Sequence, residues 1–384
     1  MYDQFLKDTS FLILYTVVTV VALMASAYLL FRRGNAFAAD IRTPLRLRRW
    51  TAVFFAVIAF GHLWYLPAAM LDSAEAVRLS LLIGSLLDCL LTIPLALIVM
   101  LCMLQDRRRP LWLVAVLMAP LVAGLVVCIF TFSETLLSWL YGYFLLMAVA
   151  FTIYMVRSVR QYGRWLRDNY ADLENKEVWQ SFFVLAFIIL MVSYYVFGTV
   201  DKNHEYVVQV CGLMLICYIL WRVETLSDLS TSLPSDSDAA IDVDMDVDVN
   251  HAAKETAASE DGEDKPQLSI RNNIGPLLRQ YCEEPQLYLQ YDISLTQLAT
   301  LIGVNRSYLS KHFALQGITY NDYINGLRIQ HFLNLYHETL ATHRTATTQQ
   351  LALQSGFRSY NTFSVAFKKI MGMNTTEWIR SVVG

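Results

Sequence analysis

Charge is what this chain has least of. Charged residues fill 16% of its 384 positions against 55% hydrophobic, and the mean hydropathy is +0.39. That balance excludes an ordinary soluble globular protein of this length. Cysteine is sparse as well: of six, none forms a Cys-x-x-Cys pair, and Cys89, Cys102, Cys128, Cys211 and Cys217 all sit in apolar runs. A disulfide framework is therefore not expected, and only Cys282 reads as a cytosolic thiol. No His or acidic residues stand nearby at metal-ligand spacing, so no metal site is expected. Nucleotide-binding loops and catalytic clusters are missing, and neither an enzyme nor a cofactor is expected. Matched pairs of broken helices, the mark of an inverted-repeat transporter, are absent, since Pro94 and Pro120 stand as single kinks.

What the chain has instead is long apolar runs. A helix needs about 20 apolar residues to cross a hydrocarbon core of roughly 30 Å. Seven stretches qualify: 11–31, 51–71, 80–104, 111–131, 136–156, 180–199 and 204–221. The acidic start, "MYDQFLKD", and the length of the first run argue against a signal peptide. Fourteen Arg and Lys follow the first, third and fifth runs, and three (Lys7, Arg78, Lys202) lie on the other side. The positive-inside rule then places the N-terminus outside and the C-terminus in the cytoplasm, which requires an odd number of spans. Ionisable groups within spans are costly and mark candidate sites, here His62 and Asp88. Both fall in the outer half of the bundle among aromatics such as Trp64, Trp139 and Tyr141, where an outward-open ligand pocket is one reading. Interhelical hydrogen bonds and an interfacial aromatic belt are the other.

Charge is also segregated. Lys plus Arg against Asp plus Glu is 18 to 15 for residues 1–227, 2 to 12 for 228–265, and 10 to 6 for 266–384. The acidic middle, which includes "SLPSDSDAAIDVDMDVDVN", cannot offset the entropy of ordering and reads as a disordered linker over 225–266. Its Asp alternation lacks the sixth-position Gly and twelfth-position Glu of an EF-hand, so a calcium loop is not expected.

The basic end contains a duplication. "SLTQLATLIGVNRSYLSKHF" (294–313) and "TTQQLALQSGFRSYNTFSVAF" (347–367) align. Each opens on a capping box, Ser294-x-x-Gln297 or Thr347-x-x-Gln350, and continues through Gln-Leu-Ala to a turn glycine, Gly303 or Gly356. Each then presents an apolar pair at i, i+4: Leu309/Phe313 and Phe363/Phe367. Two helix-turn-helix units are predicted, about 294–313 and 347–370, joined by a helix over 320–336. Their second helices turn outward Arg306, Ser307, Ser310 and Lys311 in the first copy, and Tyr360, Asn361, Ser364, Val365 and Lys368 in the second. Such side chains suit phosphates and base edges in a major groove.

Over about 267–384 these motifs resemble the DNA-binding domain of AraC/XylS-type bacterial transcription regulators. "LATLIGVNRSYLSKHFALQGITYNDYINGLR" is similar to that family's first motif, and "LALQSGFRSYNTFSVAFKKIMGMNTTEWIR" to its C-terminal signature. The resemblance implies that Ser307, Ser310, Lys311, Tyr360, Asn361 and Ser364 touch bases. Three positions depart from the pattern: Thr375 for a usual Pro, Phe332 for a small Ala, and Val365 for a polar or basic residue. The first two are expected to adjust packing and the third to shift base preference. The resulting expectation is an all-α protein: a seven-span polytopic membrane domain (1–224), the acidic linker (225–266) and a tandem helix-turn-helix domain (267–384). It would sit in the bacterial cytoplasmic membrane and regulate transcription. Expected partners are double-stranded DNA, the lipid bilayer, RNA polymerase, a sensed ligand and a second copy in a homodimer. The competing readings are a membrane transporter or a receptor that carries a regulatory DNA-binding or protein-docking tail.

Overall fold

The computed structural model describes residues 8–32, 35–37, 41–68, 73–178, 202–229, 274–343 and 345–383. Among them the fold is all-α, with one isolated antiparallel bridge, Tyr170 to Ser294, and no named strand. The chain forms two compact units, the first of residues 1–163 and 175–230, the second of 164–174 and 231–384.

The first unit is built from α1 (Thr9–Phe31), α2 (Leu45–Ala68), α3 (Ala74–Leu87, running on through Asp88–Thr92 into Ile93–Met103), α4 (Trp112–Thr131), most of α5 (Glu134–Asn169) and α6 (Lys202–Thr225). Five helices among the described residues are long and apolar enough to cross a membrane: α1, α3, α4, α5 and α6. The run at 51–71 overlaps α2, which opens on Arg46, Arg48 and Arg49 before its apolar part begins. The run at 180–199 lies outside the described residues. So does the acidic stretch from 230 onward, whereas Leu226 and Leu229 are buried within the first unit.

Helix α3 widens into a π-turn at Asp88–Thr92, where the Ile93 N–H reaches back to the Asp88 carbonyl. Pro94 explains it: the ring offers no N–H and crowds the preceding turn, and a wider turn absorbs both defects. Near the end of α6, the fully buried Glu224 accepts from Tyr28 Oη at 2.9 Å. Arg48 lies 3.9 Å from the same carboxylate and donates to the Leu29 carbonyl at 2.9 Å. This buried polar cluster ties α1, α2 and α6 together; Tyr28 holds Glu224 Oε2, while Oε1 has the Arg48 charge nearby and no hydrogen bond.

The second unit holds a helical stretch 274–283 that ends in a π-turn, then α7 (Leu295–Ile302), α8 (Arg306–Leu315), α9 (Tyr320–Ala341), α10 (Thr348–Gln354), α11 (Tyr360–Met371) and α12 (Thr375–Val383). It has two apolar cores. Leu298, Ile302, Leu309 and Phe313 anchor the first, and Leu351, Phe357, Phe363 and Phe367 the second. The long α9 feeds both, with Tyr320 and Ile324 in the first core and Ile329 and Phe332 in the second. Cys282 is fully buried in the first core, and that burial pushes its thiol up to about 12. It packs there as a small core hydrophobe.

Candidate nucleic-acid interface

Both helix-turn-helix units are assembled by the local rules their sequences carry. Ser294 Oγ accepts from the Gln297 N–H at 3.3 Å, and the Ser294 N–H donates to Gln297 Oε1 at 2.8 Å. In the second copy Thr347 Oγ1 accepts from the Gln350 N–H at 3.2 Å, and the Thr347 N–H donates to Gln350 Oε1 at 3.0 Å. These reciprocal bonds satisfy the first orphan amides of α7 and α10. Gly303 (φ +73°) and Gly356 (φ +86°) then make the turns. They differ in surroundings. A methyl group at Gly303 would meet open space, whereas one at Gly356 would lie 2.6 Å from Leu289 Cα. The second turn is thus pressed against the backbone just ahead of the first copy, at Leu289.

The second helices, α8 and α11, start on the side-chain caps Asn305 and Ser359. Leu309 and Phe313 face inward on α8, as do Phe363 and Phe367 on α11. The opposite faces carry the predicted DNA-contacting residues. Ser307 and Lys311 are exposed, and Ser310 and Arg306 half-buried; Tyr360, Asn361 and Lys368 are exposed, and Ser364 half-buried. Val365 stands out from α11 at 66% exposure, so no packing constraint sets its identity. One face of each second helix is therefore open for a groove and offers donors and cations along it.

Sequence reasoning missed three cations. Arg328 on α9 is 1% exposed. Its guanidinium donates to the carbonyls of Tyr288 and Gln290 at 2.7 and 2.8 Å and lies over the Phe357 ring at 5.6 Å. Burial lowers its pKa to about 10, which still leaves it charged at neutral pH. The only signal was its place in the apolar stripe of α9, between Leu327 and His331. Lys369 is held by Asp322, the capping residue in the first turn of α9, and so links that helix to α11. Burial opposes the Asp322 carboxylate, but the bonds from Lys369 and Thr319 outweigh it and hold its pKa below the usual range. Arg358 sits one residue ahead of the α11 cap, 5.9 Å over the Tyr291 ring.

The departures at 332 and 375 are packing features. Phe332 is fully buried, with its ring centroid 4.5 Å from Phe363 and 5.8 Å from Phe367. Thr375 takes the first turn of α12, where Asn374 Oδ1 accepts from the Glu377 N–H at 2.8 Å. Its Oγ1 is buried with no hydrogen-bond partner.

In the first unit, His62 lines an apolar cavity of about 130 Å³ with Val18, Phe54, Gln209 and Ile216. Its Nδ1 is 3.0 Å from the Ile58 carbonyl and its Nε2 3.1 Å from the Gln209 carboxamide. Asp88 is not among the cavity's lining residues. It opens the π-turn of α3, away from the residues that line this cavity.

Residues 298–381 match the family model described as a helix-turn-helix domain. Over 93 residues the chain is 34% identical to an uncharacterized HTH-type transcriptional regulator of Staphylococcus aureus strain MRSA252. It is 33% identical over 93 residues to another from strain COL. In each case the match covers 24% of this chain and 12% of the relative. The chain thus spans about an eighth of the length of these curated relatives. No solved structure matches it. The fold and the match together define a helix-turn-helix domain of the kind carried by transcription regulators, borne here on a chain with several helices apolar enough to cross a membrane.

Proposed function

We propose that this chain is a membrane-anchored, sequence-specific DNA-binding transcription regulator of the AraC type. The observation that carries the reading is the tandem pair of second helices, α8 and α11. Each is capped and turned alike, and each is buried on its apolar face and open on a polar, cationic one. Arg306, Ser307, Ser310 and Lys311 serve one major-groove segment, and Tyr360, Asn361, Ser364 and Lys368 the next. The helices of residues 1–224 anchor the chain in the bacterial cytoplasmic membrane with the N-terminus outside. Residues 225–266 tether the DNA-binding domain of 267–384 on the cytoplasmic side. This arrangement is supported by the apolar helices and by the fourteen basic residues on one side of them. The cavity beside His62 is the proposed place for a sensed ligand, and Asp88 a second polar point within the same domain. RNA polymerase and a second copy of the chain are the proposed protein partners at a promoter.

The test is crosslinking of the full chain to DNA in its host, followed by binding of the recovered fragments to the purified protein in lipid nanodiscs. Discrete sites are expected, with affinity falling steeply as salt rises because phosphate contacts release counterions. Absence of enriched sites, or binding indifferent to salt, would overturn the reading.

A further inference from the structure

The second unit contains a segment that no helix-turn-helix pattern calls for: residues 164–174, "RWLRDNYADLE", the last turn of α5 and the loop after it. Its packing there is intimate. Tyr170 and Ala171 are 4% and 0% exposed, and Ala171 belongs to the first core. The Ala171 N–H donates to the Ile293 carbonyl at 3.3 Å, and Asn321 Nδ2 donates to the Tyr170 and Ala171 carbonyls at 3.2 and 2.7 Å.

The polar side chains of this segment reach both second helices. Asn169 Oδ1 accepts two bonds from Arg306, from Nε at 2.9 Å and from a terminal nitrogen at 2.7 Å. Arg306 is the first residue of α8. Glu174 Oε2 accepts from Thr362 Oγ1 at 2.9 Å in the first turn of α11, next to Asn361. Asp172, 1% exposed, lies 3.9 Å from Arg358 ahead of the same helix and adds its charge to the surroundings of Arg328. Three side chains within a six-residue stretch thus meet the N-terminal ends of both helices proposed to enter DNA. Their groups are a carboxamide oxygen and two carboxylates, which meet a guanidinium fork, a hydroxyl and a second cation. These are the partners a phosphate backbone would seek, at helix N-termini whose dipoles favour negative charge.

We propose that residues 169–174 form an internal clasp over the DNA-reading ends of α8 and α11, a stand-in for phosphate that leaves when DNA enters. The occupant is this chain's own segment, and the proposal rests on the DNA-binding reading above. Arg306 cannot give its fork to Asn169 and to DNA at once, and the carboxylates of Asp172 and Glu174 repel a phosphate brought to the same ends. Because the segment follows directly on α5, its release is a step at which the membrane domain can set DNA affinity.

The experiment uses the full chain in nanodiscs and the double-stranded fragment most enriched from sheared genomic DNA. Asn169→Ala combined with Glu174→Gln leaves every proposed DNA-contacting side chain in place. The double variant is expected to bind the fragment about five- to tenfold tighter, the effect of freeing hydrogen bonds of ordinary strength. Unchanged or weaker binding would mean that the segment is a brace and would overturn the clasp. Hydrogen exchange on the unaltered chain gives an independent reading. The Ala171 amide should be protected without DNA and exchange faster when the fragment is added. Protection retained in the complex overturns the proposal. If neither chain binds any DNA, the DNA-binding reading falls and the clasp with it, whereas binding that leaves the clasp closed removes the clasp alone.

Discussion

Asn361 and Lys368 stand on one exposed face of α11 with different chemistry. A carboxamide can pair with an adenine edge through two hydrogen bonds, while an ammonium serves a phosphate of any sequence. Asn361→Ala is expected to cost about 1–3 kcal/mol at one base position and to relax preference there. Lys368→Ala should weaken all sequences about equally and reduce the salt slope by about one. Affinities across a panel of operator variants check both, and parallel behaviour of the two mutants would refute the division. The turn glycines differ in another way. Gly303→Ala should cost only the left-handed backbone penalty, about 1–2 kcal/mol. Gly356→Ala must also displace Leu289 backbone 2.6 Å from the new methyl group, and a total of about 2–5 kcal/mol is expected. Urea unfolding of the two variants, followed by helix content, ranks them.

Helix α9 carries the second unit. It supplies buried residues to both cores, and Arg328 fastens it to the carbonyls of Tyr288 and Gln290. Phe332 is its largest contribution to the second core, and Phe332→Ala should cost about 3–5 kcal/mol, because a fully buried aromatic leaves a cavity its neighbours cannot close. A thermal melt monitoring tryptophan fluorescence reads this through Trp378, whose ring is 6.3 Å from that of Phe332. Acid acts on the same elements. Burial lowers the pKa of His331 on α9 and of His312 on α8 below the ordinary 6.5. A depressed folded-state pKa means that the unfolded chain binds more protons at low pH. The stability these histidines contribute is therefore present above 6.5 and lost as pH falls through their lower folded values. Asp322, depressed below 3.8, adds its loss at still lower pH. The urea midpoint of the second unit should fall between pH 7.5 and 5, and a flat profile would show that these groups titrate alike in both states.

Across the whole chain, charge is separated by sequence: 2 basic to 12 acidic residues over 228–265, ahead of 10 basic to 6 acidic over 266–384. An acidic stretch covalently attached to a basic domain competes with DNA phosphates at high effective concentration. Changing Asp242, Asp244, Asp246 and Asp248 to Asn in the full chain should tighten nonspecific DNA binding at low salt, with the difference shrinking as salt screens it. Equal affinities at low salt would leave the stretch as a spacer. This effect and the clasp are separable, since one responds to charges at 242–248 and the other to Asn169 and Glu174.

The sequence by itself determined what depends on near neighbours. Apolar runs long enough to span a membrane, the two capping boxes, the turn glycines and the inward pairs of α8 and α11 are each defined within a few residues, where backbone geometry and hydrophobic period decide the outcome. The polar face of each second helix was legible for the same reason, since whatever the apolar stripe does not claim is left open. Only the tertiary structure decided what rests on contacts between distant parts of the chain. Arg328 reads as one more surface cation until Tyr288 and Gln290 close over it. Gly356 looks equivalent to Gly303 until Leu289 is placed against it. His62 and Asp88 are alike as lone polar residues in apolar runs, and packing puts one in a cavity and the other at a π-turn. Asn169 meets Arg306 across 137 residues of sequence. No local propensity or periodicity encodes such a pairing; it exists only once the helices have packed and decided which polar groups must satisfy one another.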